Sequence, residues 1–205
     1  MDQYQITTEA ELRDVIGAEV PGLAEKNIDR LNDYARAFLA ESPFLILATA
    51  DANGQIDTSP KGDAAGFVLV VDDNTVVVPD RPGNKLAYGH LNILQNPSVG
   101  LLCMIPGTPE TLRISGEATL TADPELLAQL AARGKPATLA LRVSVREVFF
   151  HCAKAFIRSS LWQHEGWPER HKISFGEMFA KQRRESTDIA RAIDAAVAED
   201  YQHNL

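Results

Sequence analysis

Twice in its second half the chain alternates apolar and polar residues with a period of two, and this constrains the fold more than any other feature. From Glu110 to Thr121, Leu112, Ile114, Ala118 and Leu120 point one way, and Thr111, Arg113, Ser115, Glu117 and Thr119 the other. Leu139, Leu141, Val143 and Val145 alternate in the same manner with Thr138, Ala140, Arg142 and Ser144. A side chain on a strand reverses direction at every residue, so each stretch predicts a strand with one face in a core and one partly wet. Between them, Asp123 to Arg133 reads as a connecting helix, with Asp123 as its cap, Pro124 in its first turn and Gly134 as its stop.

The remaining strands are shorter. Phe44 to Ala50 and Gln55 to Ser59 flank Asp51-Ala52-Asn53-Gly54, a hairpin signal in which Asn-Gly supplies the positive φ angles of a tight turn. Gly66 to Asp72 and Thr75 to Pro79 form a second hairpin hinged at Asp73-Asn74, and Ser98 to Pro106 is a further apolar strand. Helical patterning occupies the ends. From about Thr8 to Leu39 the chain reads as helical, with Ile28, Leu31, Ala35, Phe38 and Leu39 on one stripe, Asn27 as cap and Ser42-Pro43 as stop. Ala153 to Trp162 begins another helix, and Ser174 to Asp200 is mostly helical. The expected class is mainly β with helices (α+β). Six or seven antiparallel strands favour a closed barrel over a sandwich, a choice the pattern alone leaves open.

Composition excludes several functions. Among 205 residues the formal net charge is −8, opposite in sign to a generic coat for nucleic acid or an anionic membrane. The two cysteines, Cys103 and Cys152, form no C-x-x-C pair, and the five histidines show no metal-binding spacing. No apolar run reaches membrane-spanning length, and Met1-Asp2-Gln3-Tyr4-Gln5 lacks the pattern of a secretory signal, so a cytoplasmic protein is expected. There is no G-x-G-x-x-G, Walker loop or G-x-S-x-G elbow.

Two loops nevertheless spend glycine, proline and positive charge together. Thr58-Ser59-Pro60-Lys61-Gly62-Asp63 leaves one strand, and Asp80-Arg81-Pro82-Gly83-Asn84-Lys85 leaves another and enters an apparent helix from Asn84 to Gln95. With Asn84 as its cap, the free N–H groups of that helix suit an anion, and Arg81 and Lys85 flank them with a forked donor and a point charge. The alternative is a solvated turn whose cations pair with Asp63 and Asp80. A third segment runs from His151 to Trp162. If it is helical, Lys154 and Arg158 lie one turn apart and Trp162 continues their row, a stripe able to receive a planar anionic ligand; the alternative is a helix that docks Trp162 against the barrel and leaves its cations in water.

These blocks together resemble the pyridoxamine 5'-phosphate oxidase-related FMN-binding proteins. The resemblance is carried by Ser42-Pro43-Phe44, Ser59-Pro60-Lys61-Gly62-Asp63 with Gly66-Phe67-Val68, and Pro79-Asp80-Arg81-Pro82-Gly83-Asn84-Lys85. It continues through Asn92-Ile93-Leu94, Asn96-Pro97, Thr111-Leu112-Arg113 with Gly116, and His151-Cys152-Ala153-Lys154-Ala155 with Arg158, Leu161 and Trp162. It spans roughly Ile28 to Trp167. The resemblance implies a split β-barrel over 43–168, with an N-terminal helical segment (1–42) packed on it and a C-terminal helical extension (169–205). It further implies a homodimer with one FMN in each cleft between the subunits. By this carry-over Ser59, Lys61, Arg81, Asn84 and Lys85 are candidates for the FMN phosphate and ribityl chain. Thr58 and Val78 would approach the ring system through backbone groups, and Lys154, Arg158 and Trp162 would close the site from the C-terminal side or from the other subunit.

The implied activity is an FMN-dependent oxidoreductase acting on a small molecule, its electrons supplied by a nicotinamide cofactor or delivered to oxygen, with His151 the first acid–base group to test. The alternatives are a non-catalytic flavin-binding or stress protein, or the same fold holding a deazaflavin or haem. The chain departs from true vitamin-B6 oxidases after Trp162, where Gln163-His164-Glu165-Gly166-Trp167-Pro168 stands in place of their Arg-x-His motif. Lys61 stands where close relatives carry arginine, which keeps the charge and loses the planar fork.

Overall fold

The computed structural model describes residues 4–203. In chain order its elements are α1 (Glu9–Ile16), α2 (Asp33–Glu41), β1 (Phe44–Ala50), β2 (Ile56–Gly62), β3 (Leu69–Asp72), β4 (Thr75–Asp80), α3 (Tyr88–Gln95), β5 (Ser98–Met104) and β6 (Thr111–Thr121). There follow α4 (Pro124–Gln129), β7 (Leu139–His151), α5 (Lys154–Ser159), α6 (Phe175–Arg183) and α7 (Thr187–His203). The seven strands form one antiparallel sheet in the order β2-β1-β5-β6-β7-β4-β3. The fold is α+β, a split barrel: the sheet curls around a single core, and its hydrogen-bond ladder stays open between the edge strands β2 and β3.

The alternation read from the sequence sets the inward face. Leu112, Ile114 and Ala118 of β6 and Leu141, Val143 and Val145 of β7 are buried together with Leu45, Leu47, Val76, Val78 and Leu101. The parity then changes within β7. Ser115 pairs with Glu147 but Gly116 with Val145, so Arg146 is the extra residue of a bulge, and Val148 rather than Glu147 becomes the next inward side chain. Gly116 is required there, because a Cβ would lie 2.1 Å from the Ser144 carbonyl oxygen. A smaller apolar cluster on the outer face, Val77, Ala140, Leu130 and Ala137, lies under α4. Asp123 caps that helix and Pro124 opens it as expected, although it ends at Gln129, short of Arg133.

The N-terminal segment is not one helix. Pro21-Gly22 interrupts it, α1 buries no residue, and Ile28 forms a β-bridge to Val148 instead of starting a helix. Asn32, not Asn27, caps α2, its side chain accepting from Ala35 N at 2.9 Å. Ala35 and Leu39 of α2 enter the core, and Phe38 meets Phe150 edge to face at 5.5 Å. The first hairpin also departs from the expected turn. Among its non-strand residues Gly54 has the positive φ (81°), while the Asp51 carboxylate accepts from the N–H groups of Asn53 and Gln55. At the other end α6 and α7 pack on each other, with Gly176 so close to Ala190 that a Cβ would meet its carbonyl oxygen at 1.9 Å. No helix among the described residues is long and apolar enough to cross a membrane.

Candidate functional site

The split of the barrel is where the charged loops converge. Alternation along β2 puts Asp57, Ser59 and Lys61 on one face, half-buried, with Thr58 and Pro60 exposed on the other. β3 pairs with β4 no farther than Val77, so Val78 to Asp80 and the loop after them border the open side. Helix α3, packed against β1, β2 and β6, closes one end. Together these elements line a cavity of about 630 Å³, within the usual range for a small-molecule site. Ser59, Lys61, Arg81, Asn84 and Lys85, the five phosphate and ribityl candidates, all line it, as do Asp57, Asp80, Tyr88, Gly89 and His90.

Ion pairs stitch the split where backbone hydrogen bonds do not. Lys61 Nζ donates to Asp80 Oδ1 at 2.5 Å, across from β2 to β4. Arg81 Nε donates to Asp63 Oδ2 at 2.7 Å, and its Nη2 to the carbonyl of Leu130 at 2.8 Å. The turn-with-ion-pairs alternative is therefore right about the partners, Asp63 and Asp80, and wrong about their setting. Side-chain exposures of 16% for both Lys61 and Asp80, and 24% and 13% for Arg81 and Asp63, make these half-sequestered pairs in a cavity wall. Burial pushes the Asp80 carboxyl up, but the His90 imidazole and the Lys61 ammonium outweigh it and hold it below the usual aspartate range. Lys85 forms no ion pair among the described residues.

Among the described residues two buried side-chain nitrogens lack a hydrogen-bond partner, Arg81 Nη1 and His90 Nε2. The His90 nitrogen lies 3.5 Å from Asp80 Oδ1, the outer limit of a hydrogen bond. Buried donors and acceptors are rarely left unmade, so two orphans on residues that line one cavity point to a ligand site. The helix start adds further donors. α3 begins at Tyr88 and not at Asn84, whose side chain accepts from Leu86 N at 3.0 Å in an Asx turn. Lys85 and Ala87 hold left-handed backbones, φ 61° and 56°, and no side chain caps the helix. The first-turn N–H groups of Tyr88, Gly89 and His90 thus begin at the cavity wall. Gly89 gives room for this, since a Cβ there would stand 3.2 Å from Asp57 Oδ2.

The other candidates, Thr58, Val78, Lys154, Arg158 and Trp162, do not line this cavity. Val78 is buried in the barrel core. Lys154 and Arg158 are exposed on α5, which stops at Ser159 with Ser160 left-handed, so Trp162 does not continue their row. Trp162 instead stacks on Phe156, centroids 5.7 Å apart, and donates Nε1 to the Thr108 carbonyl at 3.0 Å. His151 ends β7 beside the Phe149 ring at 4.8 Å. Burial, then the charges of Arg113 and Lys26, hold its pKa below the usual histidine value. His90 and Asp57 were missed as site residues. Asp57 was detectable, two residues before Ser59 on the same strand face, whereas His90 enters only because α3 starts four residues later than the pattern suggests. Among the described residues no cluster of His, Cys, Asp and Glu is suited to a metal ion.

The family model for pyridoxamine 5'-phosphate oxidase matches residues 31–152, which contain the whole sheet and every residue of the cavity wall. The chain belongs to that family. No curated protein matches it. Solved structures similar to it are distant. HupZ from Group A Streptococcus is 18% identical over 58% of this chain and 93% of its own, with a TM-score of 0.48. An FMN-binding protein from Syntrophomonas wolfei is 12% identical over 58% and 84%, with a TM-score of 0.46. An F420 reductase is 18% identical over 59% and 98%, with a TM-score of 0.42.

Proposed function

We propose that this family member is an FMN-binding flavoprotein, a cytoplasmic homodimer that uses the flavin in an oxidoreductase reaction on a small organic substrate. The observation that carries the reading is the convergence of Ser59, Lys61, Arg81, Asn84 and Lys85 on one cavity that also receives the uncapped start of α3. That donor set fits a phosphate monoester: an unpaired ammonium at Lys85, a guanidinium with one uncommitted nitrogen, and backbone N–H groups at a positive helix end. Ser59 and Asn84 offer neutral hydrogen bonds for a polyol chain. When bound, the flavin supplies the electron-transfer chemistry, and the protein supplies binding, orientation and electrostatics.

The same reading gives the distant α5 residues a role. Ile157 and Leu161 are 63% and 46% exposed beside Arg158, an apolar face for a second copy to cover. In the dimer Lys154, Arg158 and Trp162 would close the partner's cleft, their cations favouring negative charge on the ring system. The absent Arg-x-His motif argues against vitamin-B6 oxidation as the reaction.

The test is the visible spectrum of the purified protein, with the released ligand identified by mass spectrometry. A yellow protein releasing FMN and bleached by NADH or NADPH is expected. A colourless protein that fails to take up added FMN, or one with a Soret band or a bound deazaflavin, overturns the assignment. The double variant Arg81→Ala/Lys85→Ala should weaken FMN binding while remaining a folded dimer. Unchanged affinity would place the phosphate elsewhere.

A further inference from the structure

An anion entering the cavity meets three cations in different states. Lys85 is available, Arg81 is anchored to Asp63 and Leu130, and Lys61 is committed to Asp80. Recruiting Lys61 strands the Asp80 carboxylate in a wall where only 16% of its side chain is exposed, and a half-buried charge that loses its partner is strongly disfavoured. One other group is in place to replace Lys61. His90 Nε2 lies 3.5 Å from the same Oδ1 atom and has no hydrogen-bond partner of its own. The charged groups sharing this cavity with His90 are Asp57 and Lys61 from β2, Asp80 from β4, and Arg81 and Lys85 from the loop before α3.

We propose that His90 is a stand-in counter-ion: when a phosphate-bearing ligand draws Lys61 away, Asp80 passes from Lys61 to His90, which takes up a proton. The balance is simple. Before binding, the Lys61 ammonium faces the Asp80 carboxylate beside a neutral imidazole. Afterwards the ammonium faces the phosphate, the imidazolium faces the carboxylate, and one proton has come from solvent. No bond to carbon or phosphorus changes and no electron moves. His90 touches neither the reacting ring nor the substrate in this scheme, so it is a positioning residue that makes affinity depend on pH. Wherever binding takes up one proton, affinity for the phosphate-bearing ligand falls about tenfold per pH unit as pH rises.

This inference rests on the cavity being a phosphate site, and the experiment separates the two. FMN is titrated calorimetrically into the ligand-free protein at about pH 8, where a phosphate monoester is already dianionic, in two buffers of different ionisation heat. Wild type should take up close to one proton per FMN, while His90→Gln binds more weakly and takes up none. Lys61→Met should also take up none, because no ammonium is withdrawn from Asp80. FMN binding without proton uptake, or the same uptake in His90→Gln, overturns the partner exchange and leaves the flavin site standing. If FMN does not bind at all, the flavin reading fails, and the exchange is decided by inorganic phosphate with the His90 ring followed by NMR. A downfield shift of that ring on adding phosphate supports the exchange, and an unmoved ring overturns it.

Discussion

Lys85 combines a left-handed backbone, φ 61°, with an ammonium that no carboxylate among the described residues neutralises, so Lys85→Gly separates the energy of the fold from that of the site. A non-glycine residue in this region carries a cost of about 1–2 kcal/mol from Cβ crowding against the following carbonyl. Glycine removes that cost but returns about 0.5–1 kcal/mol through its freer unfolded chain. The net expectation is a gain of about 0.5–1 kcal/mol, or roughly 1–4 °C in Tm for a chain of this length. Binding should move the other way. A charge-assisted hydrogen bond contributes about 1.5–3 kcal/mol, and the exposed position of Lys85 argues for the low end, so FMN affinity should fall about tenfold. The difference should shrink as salt screens the cavity.

Ala87→Gly supplies the control, because it relieves a comparable backbone angle, φ 56°, and removes no charge. Thermal melts of the ligand-free proteins and fluorescence titrations with FMN are sufficient. The reasoning fails if Lys85→Gly is less stable than wild type, if it binds FMN as well as wild type, or if Ala87→Gly weakens binding to the same degree.

Gly176→Ala should open the C-terminal hairpin alone. The added Cβ must move about 1.5 Å to clear the Ala190 carbonyl oxygen, which no rotamer relieves, and over-packing of this kind costs about 1–3 kcal/mol. Hydrogen exchange should rise across α6 and α7 while the barrel stays protected, and a barrel that loosens with them would show that the hairpin is part of the same cooperative unit. For His151, burial and the nearby cations lower the folded-state pKa below the ordinary 6.5, so the unfolded chain binds the extra proton. Stability should therefore be greatest above about pH 6.5 and decline as pH falls through the window beneath it. His151→Gln should flatten that decline in melts at about pH 7.5 and 5.5, and parallel curves would refute the assignment.

The barrel was legible in the sequence because alternation reports a strand's buried face directly, and β6 and β7 show it. It failed at one point, Arg146, where the bulge opposite Ser115–Gly116 changes which residues face inward. Helix limits were less legible. The Ile28-to-Leu39 stripe looked continuous, but a bridge between Ile28 and Val148, formed 120 residues apart, overrides it. Asn84 has the right chemistry for a cap and uses it on Leu86 instead. Of the site, the cations and their loops could be read, since glycine, proline and charge rarely cluster without cause. Asp63 and Asp80 could be read as their partners, but the half-buried setting of those pairs could not, because it depends on how far the sheet curls, and neither could the approach of His90.

The open side of the sheet also limits how two copies can meet. An unprotected edge strand invites another strand to extend the sheet, the route by which proteins aggregate or swap segments. β2 is such an edge, and Pro60 sits in its middle, in register with Ile46 of β1. Proline is tolerated in an edge strand where its missing N–H faces away from the ladder, so the outward row of donors on β2 is broken at its centre. Strand-to-strand growth across this edge is thereby discouraged. Pro60 lies between Ser59 and Lys61, so the same short strand interrupts its outward row of donors along the edge and turns Ser59 and Lys61 toward the cavity.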